Sequence, residues 1–192
     1  MTMATPLPHW PDVPACYGWL SLDARGNWRL KEERIDHPGL VAFLNANYTH
    51  DTDGNWLVNN GPQRVYVRLE RAPLVLRLLP DGGLSSHTGR VVAPRAPVCI
   101  DEEGCVILAT DAGPGVVDDR DLASFIAELC DAQGEPASEE VLLATPTGTA
   151  AEGLFWRGHR LVACPRRALP ARFGFQLDPQ GASAPADPGG GA

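Results

Sequence analysis

DHPGLVAFLNANYTHDTDGNWLVNNGPQRVYVRLERAPLVLRLL, residues 36–79, is the stretch that decides the fold. Asp36 stands before His37-Pro38, and an aspartate ahead of a first-turn proline predicts a helix N-cap. Leu40, Val41, Phe43, Leu44 and Tyr48 follow at helical spacing, which carries the helix to near Thr49. Asp51-Thr52-Asp53-Gly54 is a turn, and Trp56 and Val58 begin a strand. Asn60-Gly61 predicts a type I′ hairpin, since both central positions of that turn need positive φ. In the returning strand Gln63, Val65, Val67 and Leu69 share a buried face. Arg64, Tyr66, Arg68 and Glu70 share the wet one. Ala72-Pro73 ends the pairing, and LVLRLL at 74–79 is a further strand.

Working outward, YGWLSLDARGNWRL at 17–30 reads as a hairpin about Asp23-Ala24-Arg25-Gly26. LSSHTGRVV at 84–92 reads as a strand with a loop at Thr88-Gly89. VCIDEEGCVILA at 98–109 is a hairpin about Asp101 to Gly104, and Thr110 to Gly115 reads as a loop. Asp118 or Asp119 caps a helix whose stripe is Leu122, Phe125, Ile126, Leu129 and Cys130, with Gly134 as its stop. EEVLLAT at 139–145 reads as a strand, LFWRGHRLVAC at 154–164 as a tight hairpin about Gly158, and RFGFQLD at 172–178 as the closing strand.

The second half echoes the first. Asp23-x-x-Gly26 is matched by Asp101-x-x-Gly104, and Asp36, Leu40, Phe43-Leu44 by Asp118, Leu122, Phe125-Ile126. Two copies of a ββ-α-βββ unit account for the length. The expected class is α+β, with two similar small subdomains, each one helix on a curved antiparallel sheet. Residues 16–96 form the first subdomain and 97–179 the second. Residues 1–15 form an extended arm, and the Gly/Pro/Ala-rich residues 180–192 a disordered tail.

Composition narrows the function. Sixteen basic against 24 acidic residues leave a net charge of −8. That opposes nucleic acid, whose binding rests on Lys and Arg, and an anionic membrane surface. No apolar run reaches the roughly 20 residues of a membrane helix, and the N-terminus lacks the pattern of a signal peptide. Five cysteines, Cys16, Cys99, Cys105, Cys130 and Cys164, fit neither a zinc site nor a redox pair, so free thiols in a cytoplasmic protein are expected. No metal, cofactor or catalytic residue is assigned.

Two patterns carry candidate chemistry. Arg64, Tyr66 and Arg68 alternate on a strand face that Arg77 joins from the neighbouring strand, and guanidiniums around an aromatic ring suit a carboxylate or phosphate. Ser85-Ser86-His87-Thr88-Gly89-Arg90 gathers hydroxyls, an imidazole and an arginine that suit an anion, or present His87 as a base. The Gly-rich Ala112 to Gly115 precedes Asp118, Asp119 and Asp121, whose carboxylates repel a phosphate.

GNWRLKEERIDHPGLVAFLN at 26–45 and HDTDGNWLVNNGPQRVYVRLERAPLVL at 50–76 resemble the bacterial domain-of-unknown-function 1285 family. The matching positions include Gly26, Trp28, Ile35, Leu40, Val41, Phe43 and Leu44. Asp53, Gly54, Trp56, Pro62, Gln63, Val67, Glu70, Ala72 and Pro73 continue the pattern. The resemblance covers residues 18–79 and fades beyond Leu79, which assigns the second half to a sister family. It implies a two-domain α+β protein of bacterial cytoplasm, with no catalytic residues to carry over and a suggestion of ligand-linked regulation. Together these readings favour a non-enzymatic module for a small anionic ligand or a protein partner. The alternatives are a hydrolase using His87 with a nearby hydroxyl or carboxylate, and a protein-interaction scaffold.

Overall fold

Four Asp-x-x-Gly turns set the frame, and each has the same geometry. Asp23 Oδ1 accepts from the amides of Arg25 and Asn27, both at 2.9 Å. Asp51, Asp101 and Asp131 accept from the amides two and four residues onward in the same way. The fourth residue must take positive φ to turn the chain back, and Gly26, Gly54, Gly104 and Gly134 do so at 79°, 79°, 81° and 86°. Gly134 is therefore a turn residue and not the stop of a helix.

The computed structural model describes residues 13–138, 141 and 153–181. The expected strand at 139–145, most of the arm and most of the tail lie outside the described residues. The first unit runs β1 (Ala15–Leu22), β2 (Trp28–Leu30), β3 (Glu33–Arg34), α1 (Pro38–Ala46), β4 (Tyr48–His50), β5 (Trp56–Asn60) and β6 (Gln63–Leu69). These strands form one sheet in the order β3-β2-β1-β6-β5-β4. Next come β7 (Leu74–Leu78), β8 (Leu84–Ser86) and β9 (Val91–Val92). The second unit has β10 (Pro94–Ile100), β11 (Val106–Thr110), β12 (Gly113–Val117), α2 (Leu122–Ala127), β13 (Leu129–Cys130), β14 (Phe155–Trp156) and β15 (His159–Ala163), followed by α3 (Leu169–Phe173). Its sheet is ordered β13-β14-β15-β10-β11-β12-β7-β8-β9.

Read in reverse from β12, the run β12-β11-β10-β15-β14-β13 repeats the order of the first sheet strand for strand. The central pairs correspond too. Leu20 faces Val67 across β1 and β6, as Val98 faces Leu161 across β10 and β15. Both of these pairs are parallel, as is β12 with β7, so the sheets are mixed where antiparallel ones were expected. The reason is topological: the partner of β1 is reached only after a crossover that contains α1, and a crossover returns the chain in the same direction.

The first unit's trailing strands join the other sheet. β7 pairs with β12, so the chain passes from one sheet to the other at Ala72-Pro73. In return, the segment after α3 reaches back: Gln176 donates to the Gly54 carbonyl at 2.9 Å, and Leu69 to the Leu177 carbonyl at 2.7 Å. One buried cluster runs through both units, from Trp28 and Trp56 through Leu76 and Leu108 to Phe125 and Trp156. The contact is close enough that a side chain at Gly113 would run into the Trp56 ring, at 2.8 Å. The interior between the units is therefore packed apolar surface, and the cleft described below lies within the first unit.

Several local expectations are corrected. The cap of α1 is His37, whose Nδ1 accepts from the Leu40 amide at 3.1 Å, while Asp36 pairs with Arg34 at 2.9 Å. That helix stops at Ala46, and Tyr48–His50 is already strand. In the second unit Asp118 does cap, but a 3-10 turn at Asp119–Asp121 that leads into α2. The stripe breaks after Ala127: Ile126 is exposed, and Leu129 and Cys130 belong to β13. Thr110 to Gly115 is not a loop: only Asp111-Ala112 turn between β11 and β12, and Gly113 to Gly115 are already strand. At the Asn60 hairpin only Gly61 has positive φ, because Asn60 pairs with Gln63 and the central residues are Gly61-Pro62. The closing strand at 172–178 is instead the end of α3 and an extended return.

Candidate functional site

On the outer face of the first sheet, Ser21 of β1 lies between Arg29 of β2 and Arg68 of β6 in register. This row floors a cleft of about 280 Å³, with Leu22 and Leu69 beneath it and Asp23, Glu32 and Glu70 at its rim. Every charge in it is already engaged. Arg29 reaches Asp23 at 3.3 Å and the Glu32 carbonyl at 3.1 Å. Arg68 is paired with the Glu32 carboxylate. Glu70 accepts from the Ala24 amide at 3.0 Å. Burial alone would raise the Asp23 pKa, but hydrogen bonds from Asn27, Arg25 and Arg29 outweigh it and hold the carboxyl ionised.

Glu32 owes its place to an uncommon backbone. Lys31 and Glu32 both take positive φ, 47° and 71°, in the two-residue turn between β2 and β3. Neither is glycine, and such a residue costs on the order of 1 kcal/mol or more in the left-handed region. Lys31 recovers part of this by laying its ammonium 3.7 Å over the Trp19 ring. Backbone strain of this kind concentrates at binding sites.

The six residues singled out from sequence do not converge. Arg64 is exposed on β6. Tyr66 is not on a wet face: it is buried under Tyr17, the two rings stacked at 4.3 Å and 6°. Arg68 lines the cleft. Arg77 belongs to the other sheet and grips Asp121 at 2.6 and 3.3 Å, which fastens β7 to the turn before α2. Arg90 is exposed and 3.9 Å from Asp111.

His87 points inward. Its Nδ1 accepts from the Val75 amide at 3.2 Å, and its ring lies 5.7 Å from both Trp28 and Tyr48. Nε2 is buried with no partner among the described residues. Burial lowers its pKa to about 4, against the pull of Asp23. Ser86 and Thr88 bond each other at 2.7 Å and leave the imidazole alone. A general base needs a hydroxyl or water within reach, and His87 has neither hydroxyl nor carboxylate beside it.

Asp101, Glu103 and Cys105 place an oxygen, an oxygen and a sulfur within 4.8 Å of one another. Glu103 is held by Arg71 at 2.7 Å and Arg166 at 3.1 Å, however, and two guanidiniums oppose a bound cation. This cluster reads as a polar clamp joining the first unit's exit to the second unit's first turn and to the segment before α3. The five cysteines are free.

Sequence reasoning missed Ser21, Asp23, Arg29 and Glu32. A signal was present in the repeat. Matching Asp23 to Asp101 sets Ser21 and Arg29 against Cys99 and Ile107, and Arg68 falls opposite Val162. The same three-strand row is charged and open in one copy and apolar in the other. In the second copy Cys99 and Ile107 are buried.

These features define an α+β protein of two mixed sheets, the first of which carries a charged cleft. The chain belongs to the DUF2944 family, described as "Protein of unknown function (DUF2946)", whose model matches residues 2–180. It is also similar to two solved structures of DUF1285 family proteins. One, from Shewanella baltica OS155, is 16% identical with a TM-score of 0.41, over 56% of this chain and 90% of that one. The other, from Silicibacter pomeroyi DSS-3, is 14% identical with a TM-score of 0.47, over 60% of this chain and 71% of that one. The DUF1285 resemblance noted at residues 18–79 is thus met again among solved structures, while the family whose model spans the chain is a different one. No curated protein matches. Among the described residues no helix is long and apolar enough to cross a membrane.

Proposed function

We propose that this protein is a non-enzymatic binding or regulatory module of the bacterial cytoplasm, and that its ligand is a small molecule carrying a carboxylate or phosphate. The ligand sits in the cleft across Arg29, Ser21 and Arg68. One observation carries this reading: a charged row lies open in the first unit where its counterpart in the second is apolar, with Cys99 and Ile107 buried. Two guanidiniums over a buried apolar floor are suited to orienting one small anionic group. Five free thiols accord with a reducing compartment.

Thermal denaturation in the presence of small carboxylates and phosphates tests it. A stabilising ligand is expected to raise the midpoint of the wild type and to leave an Arg29→Ala/Arg68→Ala variant unmoved. Equal response of the two proteins removes the cleft from consideration.

A further inference from the structure

We infer that the ligand of this cleft is a zwitterion of α-amino-acid size, bound by its carboxylate to Arg68 and by its ammonium to Glu70. This rests on the reading of the cleft as a small-ligand site and narrows its chemistry. The charges at the cleft are two guanidiniums and three carboxylates, from Arg29, Arg68, Asp23, Glu32 and Glu70. A ligand with only negative charge meets three like charges at the rim, and one with only positive charge meets two. A molecule that carries both signs close together meets a partner for each.

The positions of these groups assign their roles. Asp23 is spent within its own turn: its two oxygens accept from the Arg25 and Asn27 amides, the Asn27 side chain and Arg29. It holds Arg29 in place and has little left for a ligand. Glu70 uses one oxygen, Oε2, on the Ala24 amide and is otherwise exposed, so it has acceptor capacity for an ammonium. Glu32 already lays a carboxylate on Arg68, which marks where a ligand carboxylate goes. Its side chain is 72% exposed, so it can swing into water when displaced. A volume of about 280 Å³ holds roughly ten non-hydrogen atoms at the ~30 Å³ a water occupies in the liquid. That matches the size of an amino acid.

The test is a calorimetric titration of the full chain with the twenty standard amino acids and with acetate, propionate and succinate. The tightest amino acid is then compared with its deaminated and decarboxylated analogues. Loss of either charged group is expected to weaken binding at least tenfold. Glu70→Gln, which keeps an oxygen for the Ala24 amide, is expected to abolish the advantage of the amino acid over its deaminated analogue. Glu32→Gln is expected to tighten amino-acid binding several-fold by freeing Arg68. If simple carboxylates bind as tightly as amino acids, or Glu70→Gln leaves the preference intact, the zwitterion assignment is overturned and the small-anion reading stands. If neither set binds, the zwitterion assignment is overturned, and if inorganic phosphate, titrated alongside, does not bind either, so is the small-anion reading.

Discussion

His87 shows how burial redirects a reactive side chain. A neutral imidazole fits between Trp28, Tyr48 and the Val75 amide, whereas an imidazolium there has no acceptor for its second proton. Its folded pKa is lowered to about 4 from 6.5, so the native state binds this proton more weakly than the unfolded chain does. The stabilising effect is therefore complete above pH 6.5 and is lost as pH falls from there towards 4. A shift of this size corresponds to about 3 kcal/mol at most. Urea denaturation of wild type and His87→Gln between pH 7 and 4 is expected to show the wild type losing more stability over that range. Parallel curves would mean that His87 is solvated. At the same scale, Gly26 has a double constraint: its φ is 79°, and an added Cβ would lie 2.6 Å from that of His87. Gly26→Ala is expected to cost more than the ~1 kcal/mol of an unsuited φ alone, read from the urea midpoint.

Among the elements, the β7–β12 pair is the seam that joins the copies. Gly115 lies opposite Leu74 in register, and a methyl group added there would sit 2.6 Å from Leu76 Cγ. Leu76 is fully buried. Its backbone makes no special demand for glycine, so the cost of Gly115→Ala is steric. Overpacking of this kind costs about 1–3 kcal/mol, and the denaturation midpoint should fall accordingly. The turn between β2 and β3 predicts the opposite sign. Replacing Lys31-Glu32 by Asn-Gly relieves the left-handed strain and is expected to raise stability by about 1 kcal/mol, less whatever the Lys31–Trp19 contact contributes. The same double variant removes the Glu32 carboxylate from Arg68. Ligand affinity, read by the same calorimetric titration, should rise as well, since Arg68 is then free of Glu32.

For the molecule as a whole, the exchange of trailing segments makes the two copies depend on each other. A fragment of residues 1–96 leaves β7 without β12, Trp56 without Gly113, and the Gly54 turn without the return from α3. It is expected to lack a cooperative thermal transition, while mixing it with residues 97–192 should restore one. Independent folding of the fragment would show that the shared core contributes little. Side-chain packing across that seam, and not the charged clamp at Glu103, is expected to dominate, since exposed ion pairs contribute only about 0–1 kcal/mol each.

Much of this was legible in the chain. The Asp-x-x-Gly turns at Asp23, Asp51 and Asp101, the buried face of Val65, Val67 and Leu69 and the helix of Leu40 and Leu44 follow from local chemistry: a carboxylate that satisfies nearby amides, a glycine free to take positive φ, and a fixed side-chain period. Local rules do not say which strand lies beside which. The parallel pairs, the passage of β7 into the other sheet and the inward turn of His87 arise from contacts between residues distant in sequence, whose energies no short window contains. The cleft is decided at that level too. Arg29 and Arg68 stand on separate strands, and only the parallel insertion of β6 beside β1 brings them to either side of Ser21.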